Sequence, residues 1–416
     1  MTHELKIGVD VHRQQNVYSV LDSGVEEPIA TFACDNNRPG TEEAAGRIAG
    51  IMGRGGYDRL GIAAESTGWY WFHLFLALSQ NPLLNQWPVS LYAFNPRITA
   101  NYKKSFSDLD KTDEIDAYVV GDRLRINRDL PAPFIYDPLA FPLRMLTRHR
   151  YHVVHELARE KSYCLSILYL KASEYTRQDR KPFTDPFGVT SKAVLQEFAS
   201  LEEIAAVPFH DLVEFIDRKG KRRFADPSQN ARRVQQVAQD SYPLPPELLD
   251  SVNLILGLSF QHIAHLERLQ KRLDTAIAQR MAAIPHTLDS IPGIGPVFAA
   301  GIMAEIGNLQ RFDYDQAKVA NFAGFKWRKT QSADFVADES PMTRKGNRFL
   351  RYYFCEAANI VRMRDADYKA FYLRKFKEVR KHQHKRAIVL TARKLVRLVV
   401  RLLTSNQPYR PRRVSI

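Results

Sequence analysis

Residues 5–23 read LKIGVDVHRQQNVYSVLDS, two apolar runs separated by a short polar turn. The run LKIGVDV predicts a buried β-strand, and NVYSVLDS predicts a second strand after the turn. PIATFAC predicts a third strand, followed by a helix over residues 42–52. LGIAAE and VSLYAF predict two more strands, with the helix WYWFHLFLAL between them. Strands that first meander and then alternate with helices predict an α/β domain with a mixed sheet over residues 1–140.

The next part of the chain is predicted to be helical. Residues 142–174 and 246–283 both predict long helices, and in the second of these apolar residues recur at helical spacing beside charged ones. That pattern is typical of a paired or coiled-coil helix. The polar, proline-punctuated stretch between the two predicts loops with short helices and indicates no chemistry. We therefore expect a helical, coiled-coil domain over residues 141–285.

A glycine-rich turn opens the remaining segment, which we expect to form a mostly helical domain over residues 286–416. The sequence LDSIPGIGPVFAAGIMAEIG places Gly293 and Gly295 in a tight turn before an apolar helix. This is the pattern of a helix-hairpin-helix. Its turn leaves backbone N–H groups at a helix N-terminus, where they can bind a DNA phosphate.

Positive charge is concentrated at the C-terminal end. The net charge is +14, and residues 341–416 hold 21 Lys and Arg against 4 Asp and Glu. Aromatic residues lie among these cations, which favours a folded basic face over a charged tail. Because cations on phosphates release counterions and add affinity, the segment predicts a nucleic-acid partner.

The chain carries no pattern of a secreted or membrane protein. Its three cysteines lie far apart, without metal-ligand spacing or an even disulfide set. No apolar run approaches the roughly 20 residues that span a bilayer, and the N-terminus lacks the order of a signal peptide. We expect a reduced, cytoplasmic protein with no membrane partner.

Two aspartates share a helix face with apolar residues in residues 111–124, KTDEIDAYVVGDRL. At 100° per residue, Asp113 and Asp116 fall on the face of Ala117, Val120 and Leu124. Thr112 as N-cap and the helix dipole explain an acid in the first turn, but they explain Asp116 poorly. Two inward-facing carboxylates one turn apart repel each other unless a cation lies between them.

The predicted sheet supplies two further carboxylates. Asp10 lies at or near the end of the strand KIGVDVH, and Glu65 ends the strand LGIAAE. A charged residue that closes a buried strand lies where α/β proteins build their sites. The four acids together predict a site for Mg²⁺, with Mn²⁺ as a substitute. We do not assign His12, because a lone histidine is more often exposed or simply hydrogen-bonded.

These motifs resemble one family. Asp10 in GVDVH, Glu65 in AESTGWYW and the aspartate pair in NPRITANYKKSFSDLDKTDEIDA resemble the DEDD motif of bacterial insertion-sequence transposases of the IS110 type. The segments IPGIGPVFAAGIMAEIGNLQRFDYDQAKVANFAGF and TRKGNRFLRYYFCEAAN resemble that family's second domain. The resemblance implies a RuvC-like domain of the ribonuclease H fold at the N-terminus, and a C-terminal transposase domain with a serine nucleophile.

The resemblance also implies partners. Family members are recombinases guided by a structured bridge RNA that pairs with donor and target DNA. They act as homo-oligomers, dimers or tetramers, on DNA in the bacterial nucleoid.

The family's serine falls in the window GFKWRKTQSADFVADESPMTRKGNRF, residues 324–349. Ser332 fits best, with Ser340 and Thr330 as competitors, although Ala333 stands where the family has glycine. A serine needs a base or a metal to act as a nucleophile, and serine and acids lie in different predicted domains, so we expect a composite site. Four cations follow the serine and can neutralise a phosphate: Arg344, Lys345, Arg348 and Arg351.

Two alternatives stay open at this point. A RuvC-like, magnesium-dependent nuclease such as a junction resolvase needs the four acids but no serine. A non-catalytic nucleic-acid-binding protein needs neither, but it would keep repelling carboxylates at a cost in stability.

Overall fold

The computed structural model describes residues 3–128, 130–327, 331–332, 335–336, 342–343 and 345–411, with the backbone alone at 331–332 and 335–336. The chain divides into two compact units, Met1–Asp137 and Pro138–Ile416. The further division predicted at residue 285 stays a prediction.

The first unit contains the predicted strands and helices. Its strands are β1 (Glu4–Val11), β2 (Gln15–Asp22), β3 (Pro28–Asp35), β4 (Arg59–Glu65) and β5 (Val89–Phe94). Its helices are α1 (Arg38–Gly55), α2 (Tyr70–Ser79), α3 (Pro96–Lys103) and α4 (Asp113–Arg125). The strands form one sheet in the order β3-β2-β1-β4-β5. β1 pairs antiparallel with β2 and parallel with β4. The predicted mixed sheet and the ribonuclease H-like fold that the resemblance implies are confirmed.

The two faces of β1 have different roles. Ile7 and Val9 are fully buried in the core that α1 and α2 cover. Since successive side chains of a strand point to opposite faces, Gly8 and Asp10 lie on the other face, which α4 covers. The strand therefore builds the core with one face and leads to a polar edge with the other.

The second unit is almost entirely helical in its described residues. Its middle part contains α5 (Ala140–Lys171), α6 (Val189–Glu197), α7 (Leu201–Ala206), α8 (Phe209–Lys219), α9 (Pro227–Asp240) and α10 (Pro246–Met281). Its last part contains α11 (Pro296–Ile306), α12 (Gln316–Phe322), the strands β6 (Gln331–Ser332) and β7 (Phe335–Val336), α13 (Arg348–Arg364), α14 (Ala366–Lys377) and α15 (Gln383–Ser405). Within the ranges that the structure describes, no helix is both long and apolar enough to cross a bilayer.

The two predicted long helices, α5 and α10, pack along each other. Arg150 pairs with Asp274 near one end, and Lys161 pairs with Glu267 at 2.8 Å further along. Because the numbers rise on one helix as they fall on the other, the pair is antiparallel. The short helices α6–α9 pack against this pair in one hydrophobic cluster, and α11–α15 form most of another.

Candidate active site

Asp10 and Glu65 end neighbouring strands at one edge of the sheet. β1 and β4 run parallel with Val9 opposite Ala64, so the next residues, Asp10 and Glu65, come at the same carboxyl-terminal edge. Ligand sites in open α/β sheets form outside this edge. The pairing register alone therefore brings the two acids near each other.

A glycine contact brings the aspartates of α4 to the same edge. A Cβ atom on Gly8 would lie 2.1 Å from both the Ala117 carbonyl oxygen and the Gly121 amide nitrogen, so only glycine allows α4 to pack this closely on β1. Two residues along the strand cover about 6.6 Å, and four residues along the helix cover about 6 Å. Asp10 and Asp113 therefore lie at similar distances, in the same direction, from the contact between Gly8 and Ala117, which brings the two carboxylates close together.

Asp10, His12 and Asp113 form a cluster at this edge. The His12 Nε2 atom lies 2.9 Å from an Asp10 carboxylate oxygen and 3.5 Å from an Asp113 oxygen. One possible ligand atom from each residue lies within 4.8 Å of the other two. The backbone places His12, since its N–H donates to the Gln15 carbonyl and its own carbonyl accepts from the Asn36 side chain. Sequence reasoning left this histidine out.

The electrostatics of the cluster favour a bound cation. Burial raises the pKa of Asp10, and the nearby charges of Asp116 and Asp113 raise it further against the opposing effect of His12. Partial burial acts to lower the pKa of His12, but the surrounding carboxylates, Asp10 foremost, outweigh it and the pKa rises. Two carboxylate oxygens and an imidazole nitrogen are possible ligands of a divalent metal ion, and a bound cation would reduce the repulsion between the carboxylates.

The other two predicted acids have contacts of their own. Asp116 forms an ion pair with Lys103 of α3. Glu65 accepts hydrogen bonds from the hydroxyl groups of Thr99 on α3 and, at 3.4 Å, of Thr67. The structure therefore joins Asp10 with Asp113, places Asp116 within electrostatic range, and holds Glu65 at the same edge outside the cluster.

The expectation that both aspartates of α4 face inward is wrong for Asp113. Its side chain is 63% exposed, whereas the side chain of Asp116 is 37% exposed. The reason is that α4 begins at Asp113, with Thr112 as its N-cap, and the buried stripe begins at Ala117. The first turn lies at the open end of the helix, where its acids face solvent and the sheet edge together.

Ser332 lies in a short strand pair of the second unit. It pairs with Phe335, and Gln331 pairs with Val336. Closer to α12 and α13, the Thr343 amide donates to the Lys326 carbonyl at 2.8 Å, and Trp327 bridges to Met342. The side chain of Ser332 and all of Thr330, Ser340 and Arg344 lie outside the described residues.

Two glycines, Gly324 and Gly346, contact each other where the two ends of this window meet. A Cβ on Gly346 would lie 2.7 Å from the Gly324 amide nitrogen, and both glycines have positive φ. Arg351 donates from its guanidinium to the Ala323 and Lys345 carbonyls. Among the predicted phosphate-binding cations, Arg351 thus braces the window, while Lys345 and Arg348 are exposed. The Arg348 guanidinium stacks on the Phe349 ring, 4.8 Å from its centroid.

The predicted glycine turn is present, but its first helix is reduced. A three-residue 3₁₀ turn, Leu288–Ser290, precedes the turn, and α11 follows it. Gly293 packs against α13, since a Cβ there would lie 2.8 Å from Ile360. Gly295 is the N-cap of α11, and no atom lies within 4 Å of its Cβ position. Of the two glycines, Gly295 is open to a phosphate.

Comparisons with known proteins match two parts of the chain, one that contains the four acids and one that contains the serine window. Residues 7–171 match a family model for DEDD transposases of IS110, described as "Transposase". Residues 285–373 match a second model, described as "Transposase IS116/IS110/IS902 family". The "Insertion element IS116 uncharacterized 44.8 kDa protein" of Streptomyces clavuligerus is 26% identical over 304 residues, which cover 72% of this chain and 73% of that protein. The first match contains the four acids, and the second contains Ser332.

Proposed function

This chain belongs to the IS110-type transposases, and from that premise we propose that it cuts and rejoins DNA through a serine–DNA intermediate beside a carboxylate-held magnesium ion. Transposition makes DNA its substrate. The finer chemistry is our proposal, and it would make the chain a site-specific recombinase.

One observation carries the proposal. Asp10 lies near the end of β1, His12 directly follows that strand, and Asp113 begins α4, yet one possible ligand atom from each lies within 4.8 Å of the other two at the sheet edge. Raised pKa values at Asp10 and His12 accompany this convergence. Clustered, perturbed ionisable groups at the carboxyl edge of a sheet are typical of active sites.

We assign the proposed metal ligands to Asp10, Glu65, Asp113 and Asp116, with His12 as an additional candidate. When bound, a divalent cation supplies charge stabilisation to a phosphodiester in transit. The oxygen-rich set favours Mg²⁺, with Mn²⁺ as a substitute, over softer metals. The Thr99 hydroxyl orients the Glu65 carboxylate, which is how outer partners commonly support a ligand.

Ser332 is the proposed nucleophile. Its hydroxyl would lose its proton and form an oxygen–phosphorus bond while the bond from phosphorus to the departing strand's oxygen breaks, and that departing oxygen would take up a proton. The phosphoserine ester keeps the energy of the broken bond, so the reverse attack by a DNA hydroxyl reseals a strand without a nucleoside triphosphate. Lys345 and Arg348 are exposed cations in the described part of this window and can neutralise the phosphate.

The partners that we propose are donor and target DNA, a structured bridge RNA and further copies of this chain. The balance of 21 basic to 4 acidic residues over residues 341–416 supports a polyanionic partner. Purification without nuclease treatment, followed by sequencing of the bound nucleic acid, tests the guide. One abundant structured RNA is expected, and random fragments would contradict it.

Trapping of a covalent protein–DNA adduct tests the chemistry. We expect the wild type to form an adduct that survives denaturation, and Ser332→Ala to form none. Ser340→Ala and Thr330→Ala serve as matched controls and should keep it. An adduct that persists in Ser332→Ala would remove the serine assignment. Strand cleavage without any adduct in the wild type would favour a RuvC-like nuclease instead.

A further inference from the structure

A cavity of about 570 Å³ lies between α14, α15 and the segment that carries Tyr409. In the described part of the chain, its lining contains four cations: Arg374, Lys394, Arg397 and Arg401. It also contains three aromatic residues, Tyr368, Phe371 and Tyr409, and one acid, Asp367. We call it the α14–α15 cavity. It belongs to the second unit and contains none of the residues of the proposed chemistry.

Helical spacing explains why the cations converge. Lys394, Arg397 and Arg401 recur at i, i+3 and i+7 on α15, on the face opposite the buried Leu395 and Val399. On α14, Phe371 and Arg374 follow Asp367 at four and seven residues. The polar faces of two neighbouring helices therefore enclose the cavity, while their apolar faces build the core.

The described contacts of these cations include aromatic rings and a neutral side chain. The Lys394 ammonium lies 4.5 Å from the Tyr368 ring centroid and 4.9 Å from that of Phe371. Arg374 lies over the Phe371 ring at 5.3 Å. The Arg397 guanidinium donates to the side-chain oxygen of Gln316 at 3.2 Å. In the part of the chain that the structure describes, no ion pair joins Arg374, Arg397 or Arg401 to a carboxylate.

The positive charges near the cavity also affect the pKa of a neighbouring arginine. Burial lowers the pKa of Arg393, and the neighbouring charge of Arg397 lowers it further. Among the described lining residues, four cations accompany one carboxylate, so an anion entering the cavity gains attraction from several side chains at once. An anion with a flat ring also matches the aromatic part of the lining.

We propose that the α14–α15 cavity binds one unpaired nucleotide of a single-stranded nucleic acid, with the base against Phe371 and Tyr409 and the phosphates at Arg397 and Arg401. Aromatic rings beside backbone-tracking cations are the shared chemistry of single-strand binding. The volume falls in the range of roughly 300–1,000 Å³ of sites for small ligands, which suits one nucleotide and excludes a duplex. This inference deepens the proposed function by locating a nucleic-acid contact outside the chemistry.

Fluorescence anisotropy on the full-length chain tests this site. The probes are labelled thymidine and uridine strands of about twelve nucleotides, within the roughly 4–16 that single-strand modules occupy, and a duplex of equal length. We expect Phe371→Leu to weaken single-strand binding by about tenfold, since stacking on one ring is worth about that factor or more. Phe371→Tyr, which keeps the ring, should bind like the wild type.

Two double variants that each remove two positive charges separate binding in the cavity from non-specific attraction to the basic surface. Arg397→Gln with Arg401→Gln should weaken single-strand binding much more than Arg380→Gln with Lys381→Gln, two exposed cations outside the cavity. Both pairs should weaken duplex binding alike. The Arg397→Gln, Arg401→Gln variant is compared with the wild type for both the DNA and the RNA strand. The strand whose affinity falls more identifies the natural ligand.

Equal losses for the two pairs, or wild-type binding by Phe371→Leu in a folded chain, would overturn the inference. The covalent adduct is measured separately with short duplex DNA. A missing adduct with intact cavity effects would thus refute only the proposed chemistry, and the converse would refute only the cavity.

Discussion

A group of carboxylates at the sheet edge and a single buried carboxylate in the second unit have opposite surroundings. At the sheet edge, Asp10, Asp113 and Asp116 lie near one another, and burial together with mutual repulsion raises the pKa of Asp10. In the second unit, Glu305 is only 1% exposed, yet both of its oxygens are engaged. Arg148 donates to them at 2.7 and 2.9 Å, and the Asn347 amide donates at 2.6 Å.

The difference separates a carboxylate whose charge is fully paired within the fold from a group of carboxylates that we propose to bind a metal ion. Arg148 forms a bidentate ion pair with Glu305, which neutralises the buried charge. Together with Asn347, this pair links α5, α11 and the start of α13. The sheet-edge group has more negative charge than its own histidine and Lys103 offset. A bound cation would reduce the repulsion that remains among these carboxylates.

The largest expected effect comes from breaking the sheet-edge group. Asp10→Asn and Asp113→Asn should each lower DNA cleavage by more than about 100-fold, since even outer partners of metal ligands cost roughly 10–100-fold. Stability should change by less than about 1 kcal/mol, because removing one of several repelling charges costs the fold little. Cleavage assays with parallel denaturant titrations measure both. Wild-type cleavage in either variant would contradict the assignment.

Breaking the structural carboxylate should do the reverse. Glu305→Gln leaves Arg148 without its counter-charge and should lower the free energy of unfolding by about 3–5 kcal/mol. Glu356→Gln, an exposed glutamate of α13, is the matched control and should stay within about 0.5 kcal/mol. Denaturant unfolding followed by circular dichroism compares the two. An equally small effect for both would show that the pairing of Glu305 contributes little.

Lys171 sharpens the comparison, because it is a buried charge that meets neutral acceptors. Its ammonium donates to the Leu195 and Phe198 carbonyls at the end of α6 and to Asn253. Burial lowers its pKa from 10.5 to about 8. Between these values the unfolded chain holds more protons than the folded one, so stability should rise with pH across this window, by up to about 3 kcal/mol.

The difference between wild type and Lys171→Met isolates this effect from other titrating groups. The wild type should gain stability relative to the variant between pH 8 and 10.5. A constant difference across that range, from urea midpoints, would mean that burial does not lower the lysine's pKa.

The smallest expected effect concerns the contact that assembles the sheet edge. Gly8→Ala forces a methyl group against the backbone of α4 and should destabilise the first unit by about 1–3 kcal/mol. It should also lower cleavage, because Asp113 moves with the helix. Gly46→Ala, in an open position of α1, should instead add about 0.5–1 kcal/mol. Thermal unfolding distinguishes them, and a neutral Gly8→Ala would mean that α4 has room to shift.

Much of this arrangement could be predicted from local patterns. The strands and α4 follow from periodicity, and the ends of β1 and β4 indicated Asp10 and Glu65. The proximity of His12 to Asp113 could not be predicted, because the two residues lie 101 positions apart in the chain. Helix α3 was missed although Asn95 followed by Pro96 is a helix-start pattern, and with it Thr99 and Lys103.

The exposure of Asp113 was mispredicted for a related reason. Helical periodicity gives the face on which a residue lies, but it does not say where along the helix the neighbouring sheet ends. The tertiary contact between Gly8 and Gly121 fixes that position, and no local pattern in α4 encodes it.

Titration of Mn²⁺ into the protein, followed by the electron paramagnetic resonance of the free ion, tests the central claim most directly. The account predicts that the wild type and Glu356→Gln bind Mn²⁺ alike, that Mg²⁺ competes, and that Asp10→Asn and Asp113→Asn bind it at least about tenfold more weakly. Equal binding by all four proteins would contradict it.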